Sequence, residues 1–198
     1  MKGFTLIEVL IALAIGSMIL GVAFALTMTN RKLLVQDRTL NDISQNLQAA
    51  AEIMTDDIRL AGADLGSPPS QMPIIITANS IVLARDLDPN AANTNIETRT
   101  YEYDQTTRRL NLTVATTTTA AQGPNGVINN VNAMNISVTR QDGTTVSTLG
   151  DPDNISDTTS WTNIRSINIE LTGQIEINGK QVQKTLRTNI FPRNVLSQ

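Results

Sequence analysis

Glu8 is the residue with the most chemistry to offer, because it sits near the start of an apolar stretch running from Phe4 to Met28. An acidic side chain at the centre of a membrane helix costs roughly 2.5 to 3.5 kcal/mol, and less near an end, so such a carboxylate calls for a positive partner. A cut between Gly3 and Phe4 would create an amine one helical turn from Glu8, and an identical chain alongside would offer the same amine at the same depth. Two unit charges about 4 Å apart at an effective dielectric near 20 are worth roughly 4 kcal/mol, enough to offset the burial. Glu8 would then reward side-by-side packing of like chains. Thr5-Leu6-Ile7-Glu8 is also a capping box, in which Thr5 holds the amide of Glu8 while the carboxylate reaches back.

A second acidic set, Asp151, Asp153 and Asp157, places three carboxylates within seven residues. Oxygen ligands so spaced are a weak candidate calcium site, but the run lacks the central glycine and distal glutamate of an EF-hand and reads first as a solvated loop. Cysteine and histidine are both absent, so no disulfide, thiolate nucleophile, imidazole base or Cys/His metal site exists. Catalysis would rest on carboxylates, lysine or tyrosine, and no spacing argues for it. The chain is therefore expected to be neither an enzyme nor a cofactor carrier. A net charge of −3 does not indicate nucleic-acid binding. Three sequons, beginning at Asn111, Asn135 and Asn154, read as chance in a chain rich in Asn and Thr, and Trp161 as an edge anchor of the core.

Met1-Lys2-Gly3, followed by Phe4-Thr5-Leu6-Ile7-Glu8-Val9-Leu10-Ile11-Ala12-Leu13-Ala14-Ile15-Gly16, resembles the class III signal of type IV pilins and type II secretion pseudopilins. The resemblance covers about a tenth of the chain. It implies a leader of residues 1–3, cut between Gly3 and Phe4 by prepilin peptidase, with methylation of the Phe4 amine and Glu8 as the assembly carboxylate. It also implies an N-in, C-out inner-membrane precursor, an inner-membrane assembly platform, and partners that are other pilin subunits. The charges do not set that orientation, since Lys2 precedes the span and Arg31-Lys32 follow it. An ordinary secretory signal cut after Ala23-Phe24-Ala25 would instead release a soluble binding protein or adhesin. Its apolar core would exceed the usual 7 to 15 residues and hold a glutamate.

The elements that must position Glu8 follow from periodicity. Residues 4–29 form the membrane-spanning or filament-core half of a helix, with Ser17, Gly21 and Ala25 on one face and Ala12 and Gly16 on another at a spacing that lets helices approach closely. Residues 30–66 continue it as an amphipathic half, with a stripe of Leu33, Leu40, Ile43, Leu47, Ala51, Met54, Ile58, Ala61 and Leu65. Asp56, Asp57 and Arg59 fall between the stripe residues. Gly62, Gly66 and Pro68-Pro69 supply the stop, for a helix of roughly 85 to 90 Å.

Residues 67–198 read as one β-rich domain in which short strands of period two form an antiparallel meander. Hairpins are expected at Asp142-Gly143 and Asn178-Gly179, a longer turn at Asp104 to Thr107, and separate strands at 164–172 and 174–177. The stretch Ala115 to Asn132 reads as a loop. The expected fold is thus α+β and pilin-like, one long N-terminal helix packed on an antiparallel sheet through Ile167, Ile169 and Leu171. Asp56-Asp57-Ile58-Arg59-Leu60-Ala61-Gly62 and Leu186-Arg187-Thr188-Asn189-Ile190-Phe191-Pro192-Arg193-Asn194 resemble PilW-like minor pilins and J-type pseudopilins of type II secretion. PilW-like proteins often carry cysteines, which this chain lacks.

Overall fold

The computed structural model describes residues 5–63, 65, 73–87, 95–149, 163–177 and 179–192. The chain divides into two units, residues 1–42 and 43–198, and the helix α1 (Leu6–Leu60) contributes to both. In the first unit every described residue is exposed or half-buried, and its apolar side chains from Leu6 to Val35 face outward. The hydroxyls in this apolar tract are satisfied within the helix. Ser17 donates to the Ala14 carbonyl at 2.9 Å, Thr27 to Ala23 at 2.8 Å and Thr29 to Ala25 at 3.0 Å, as a helix in a medium without water requires.

In the second unit the stripe on α1 is buried from Ile43 onward, through Leu47, Ala50, Ala51, Met54 and Ile58. The helix ends at Leu60, earlier than the expected 66, and the reason is Gly62. It takes a left-handed φ of 81°, and its amide donates to Ala84 at 2.8 Å, while the Asp86 amide donates back to Ala63 at 3.0 Å. A backbone that has turned toward a strand cannot continue the helical ladder.

Among the described residues nine strands follow: β1 (Ile74–Ile76), β2 (Ser80–Asp86), β3 (Ile96–Asp104), β4 (Arg109–Thr116), β5 (Gln122–Asn129), β6 (Val131–Arg140), β7 (Thr145–Val146), β8 (Ile164–Ile177) and β9 (Lys180–Ile190). The expected single meander is in fact two antiparallel sheets, β1-β2-β3-β4-β5 and β7-β6-β8-β9. The chain switches sheets at Asn130, whose φ of 62° suits asparagine, and the switch is stitched by Val131 donating to Arg108 at 3.0 Å and Gln174 to Asn130 at 2.8 Å. The supposed loop at 115–132 contains β5. Only Ile128 of that strand is buried, so it carries almost no apolar signal, and Pro124 is tolerated because the strand lies at a sheet edge.

The three expected turns occur. Asp104 accepts from the amides of Thr106 and Thr107 at 2.8 and 3.2 Å, Gly143 and Gly179 take φ of 85° and 75°, and Ile177 pairs with Lys180 across the last turn. The expected break between 172 and 174 does not occur, since β8 runs straight through Gly173. Here glycine serves packing: a Cβ would lie 2.8 Å from Ile43 Cγ2 and 3.4 Å from Leu47 Cδ1, so a side chain would push the helix away. Ile167, Ile169 and Leu171 are buried beside Val138, Ile136 and Met134 of β6, in one core with Ile43, Leu47, Met54 and Ile58 of the helix.

Candidate functional site

The amino-terminal site is built by the first turn of α1. The Thr5 amide and hydroxyl both donate to Glu8 Oε2 at 2.9 Å, and the Glu8 amide approaches Thr5 Oγ1 at 3.3 Å. This reciprocal cap forms because the Thr-x-x-Glu spacing brings both groups to one side of the first turn, where the helix amides are also unsatisfied. Both side-chain bonds use Oε2, and Oε1 has no hydrogen-bond partner among the described residues. Among the described residues the carboxylate is thus held by one oxygen, and the other has no donor. Gly3 and Phe4, the expected cleavage pair, lie outside the described residues, as do Asp151, Asp153 and Asp157, the sequon at Asn154, and Trp161. Among the described residues no group of acids forms a metal site.

A second cluster of charge lies inside the 43–198 unit and was not foreseen. Asp57, expected on the polar face of the helix, is only 8% exposed. Arg99 Nη1 donates to both its oxygens, at 2.8 and 3.0 Å, and Tyr101 donates its hydroxyl to Oδ2. Glu97 Oε1 accepts from Arg99 Nε at 2.6 Å and from Arg85 Nε and Nη2 at 3.1 and 2.8 Å. Strand alternation explains the set: Glu97, Arg99 and Tyr101 are every second residue of β3, and Arg85 stands opposite Glu97 on β2. The chain of two carboxylates and two guanidiniums is electrically balanced.

Burial works against the Glu97 carboxylate, but the hydrogen bonds and charges of Arg99 and Arg85 outweigh it and lower its pKa. Burial likewise opposes the Arg99 cation and is outweighed by Glu97 and Asp57, so its pKa is raised. For Tyr101, burial and the Asp57 carboxylate act together to raise it. With every member paired, the cluster ties the end of α1 to β3 and offers no unpaired nucleophile. The available signal was positional, since Asp57 is seven residues after Ala50 and three after Met54, on the buried stripe itself.

Residues 1–24 match the family described as the prokaryotic N-terminal methylation motif. In three dimensions the chain is similar to a type IV-like pilin from Thermus thermophilus, with a TM-score of 0.59, 10% identity, and coverage of 77% of this chain and 96% of that one. No curated protein matches the sequence. The chain thus carries a prokaryotic N-terminal methylation motif on the fold of a type IV-like pilin. Its helix Leu6–Leu60 includes a segment long and apolar enough to cross a membrane.

Proposed function

We propose that this chain is a minor type IV pilin, a structural subunit that primes or completes a filament. Prepilin peptidase would remove residues 1–3 and methylate the Phe4 amine, and an inner-membrane platform would move the subunit from an N-in, C-out precursor into the filament. The observation that carries this reading is Glu8, clamped by Thr5 through Oε2 with Oε1 open among the described residues, at the head of an exposed apolar helix. A neighbour's amino terminus at that depth supplies the missing cation, and the pair rewards correct register. The role is assembly and not catalysis, consistent with a chain lacking cysteine and histidine.

A J-type pseudopilin of type II secretion would use the same chemistry. Loss of twitching or DNA uptake on deletion favours the pilus, and blocked exoprotein export favours the pseudopilus. The test common to both is the amino-terminal sequence and intact mass of the protein from cells with and without prepilin peptidase. A peptidase-dependent start at methylated Phe4 is expected. A start at Leu26 would make the protein a soluble secreted one and end the reading.

A further inference from the structure

We propose that strand β9 is a docking edge on which an extended acidic segment of a neighbouring protein chain adds to the four-stranded sheet. Each sheet has two edges, and among the described residues three of the four are blunted. Strand β1 is three residues long, and Ile76 exchanges backbone bonds with Leu149 at 2.8 and 2.9 Å. Strand β7 has two residues. Strand β5 carries Pro124 and two irregularities in its register with β4. Strand β9 differs from all of them. It is eleven residues long, contains neither proline nor glycine, and pairs with β8 through eleven positions without a shift. A long, regular edge exposes a row of backbone donors and acceptors that an extended chain can complete.

The side chains say what kind of chain. On one face of β9, Gln181 and Gln183 bond to Gln174, Gln181 also to Glu176, and Arg187 to Glu170, so this face is committed within the sheet. The other face presents Lys180, Val182, Lys184 and Leu186 in alternation, with Val182 and Leu186 half-buried. Neither lysine has an ion-pair partner among the described residues. The two cations are about 13 Å apart at 3.3 Å per residue. A partner strand with acidic residues four apart and an apolar residue between them places carboxylates beside both lysines and an apolar side chain beside Val182. A second copy of β9 is disfavoured, because pairing about Val182 sets Lys180 against Lys184. Just past the strand, Phe191 is 56% exposed, the most exposed large apolar side chain described in the 43–198 unit, and offers an anchor at the end of the edge.

The test is amide hydrogen exchange on the full-length protein in detergent micelles. The probe is an eleven-residue peptide in which Thr alternates with Glu and Val, so that the glutamates are four residues apart, and the control carries Lys in place of each Glu. The acidic peptide is expected to slow exchange in Lys180–Ile190 at least fivefold. The peptide concentration at half-saturation should rise about tenfold in the double variant Lys180→Gln, Lys184→Gln, whose altered side chains are exposed and whose circular dichroism spectrum should match the parent's. The proposal is overturned if β9 is not slowed at millimolar peptide, if the lysine peptide slows it equally, or if the double variant binds as tightly as the parent.

Discussion

Glu8 and Asp57 are both acids on one helix, and their surroundings give them opposite tasks. Glu8 keeps one oxygen free among the described residues, whereas Asp57 is saturated by Arg99 and Tyr101. Asparagine in place of Asp57 keeps one acceptor oxygen, removes the charge that Arg99 pairs with, and sets an NH2 donor against the donors that the second oxygen served. Asp57→Asn should therefore lower unfolding stability by about 2 to 3 kcal/mol, less than for a wholly buried pair because Arg99 retains contact with water; denaturant titration reads this. Glu97 adds a pH signature. Its native pKa lies below the ordinary 4.5, so its stabilisation is present above that value and is lost as the pH falls through the lower native one. The midpoint of thermal unfolding of the parent should thus drop on acidification below about pH 4.5, and Glu97→Gln should flatten part of that drop; an unchanged slope would remove Glu97 from the linkage. The Thr5–Glu8 cap was legible in the sequence because its partners are three residues apart. The Asp57 cluster was not, because Arg99 lies 42 residues away and meets it only through sheet pairing.

At the scale of elements, what could be read depended on whether a residue's local meaning agreed with its use in the fold. The hairpins at Gly143 and Gly179 were legible because a positive φ is what those glycines supply. Gly173 has the same identity and a different task, and the expected strand break there was wrong because closeness to Ile43, not a turn, selects glycine. Strand β5 was missed for the complementary reason: an edge strand with one buried side chain has no alternation to read. The division into two sheets was equally hidden, since it depends on one backbone conformation at Asn130. Gly173→Ala tests the packing argument. The added methyl meets Ile43 Cγ2 inside van der Waals contact, so the variant should lose about 1 to 3 kcal/mol, and Ile43→Ala, which removes Cγ2, should cost less in that background than in the parent. Additive losses in the double variant would show that the two residues are not in close contact.

For the whole molecule, the distribution of burial makes a definite claim about what each stretch of chain contributes. Among the described residues nothing before Ile43 is buried, and the described core draws only on residues from Ile43 onward. The apolar side chains from Leu6 to Val35 therefore add nothing described to the folding of the 43–198 unit, and their hydrophobicity is available for a membrane or for other subunits. A chain beginning at Arg31 should remain soluble without detergent and should unfold within about 2 °C of the full-length protein in micelles, because both bury the same side chains. The same truncation should abolish co-sedimentation with membranes and incorporation into filaments. Glu8→Gln divides that second loss more finely: a glutamine can still cap Thr5 but carries no charge, so helix content and processing should persist while incorporation falls. If Glu8→Gln incorporates like the parent, the cap alone suffices and the ion pair with a neighbour's amine has no role; if the truncated chain is instead much less stable, residues 1–30 support the fold as well as the assembly.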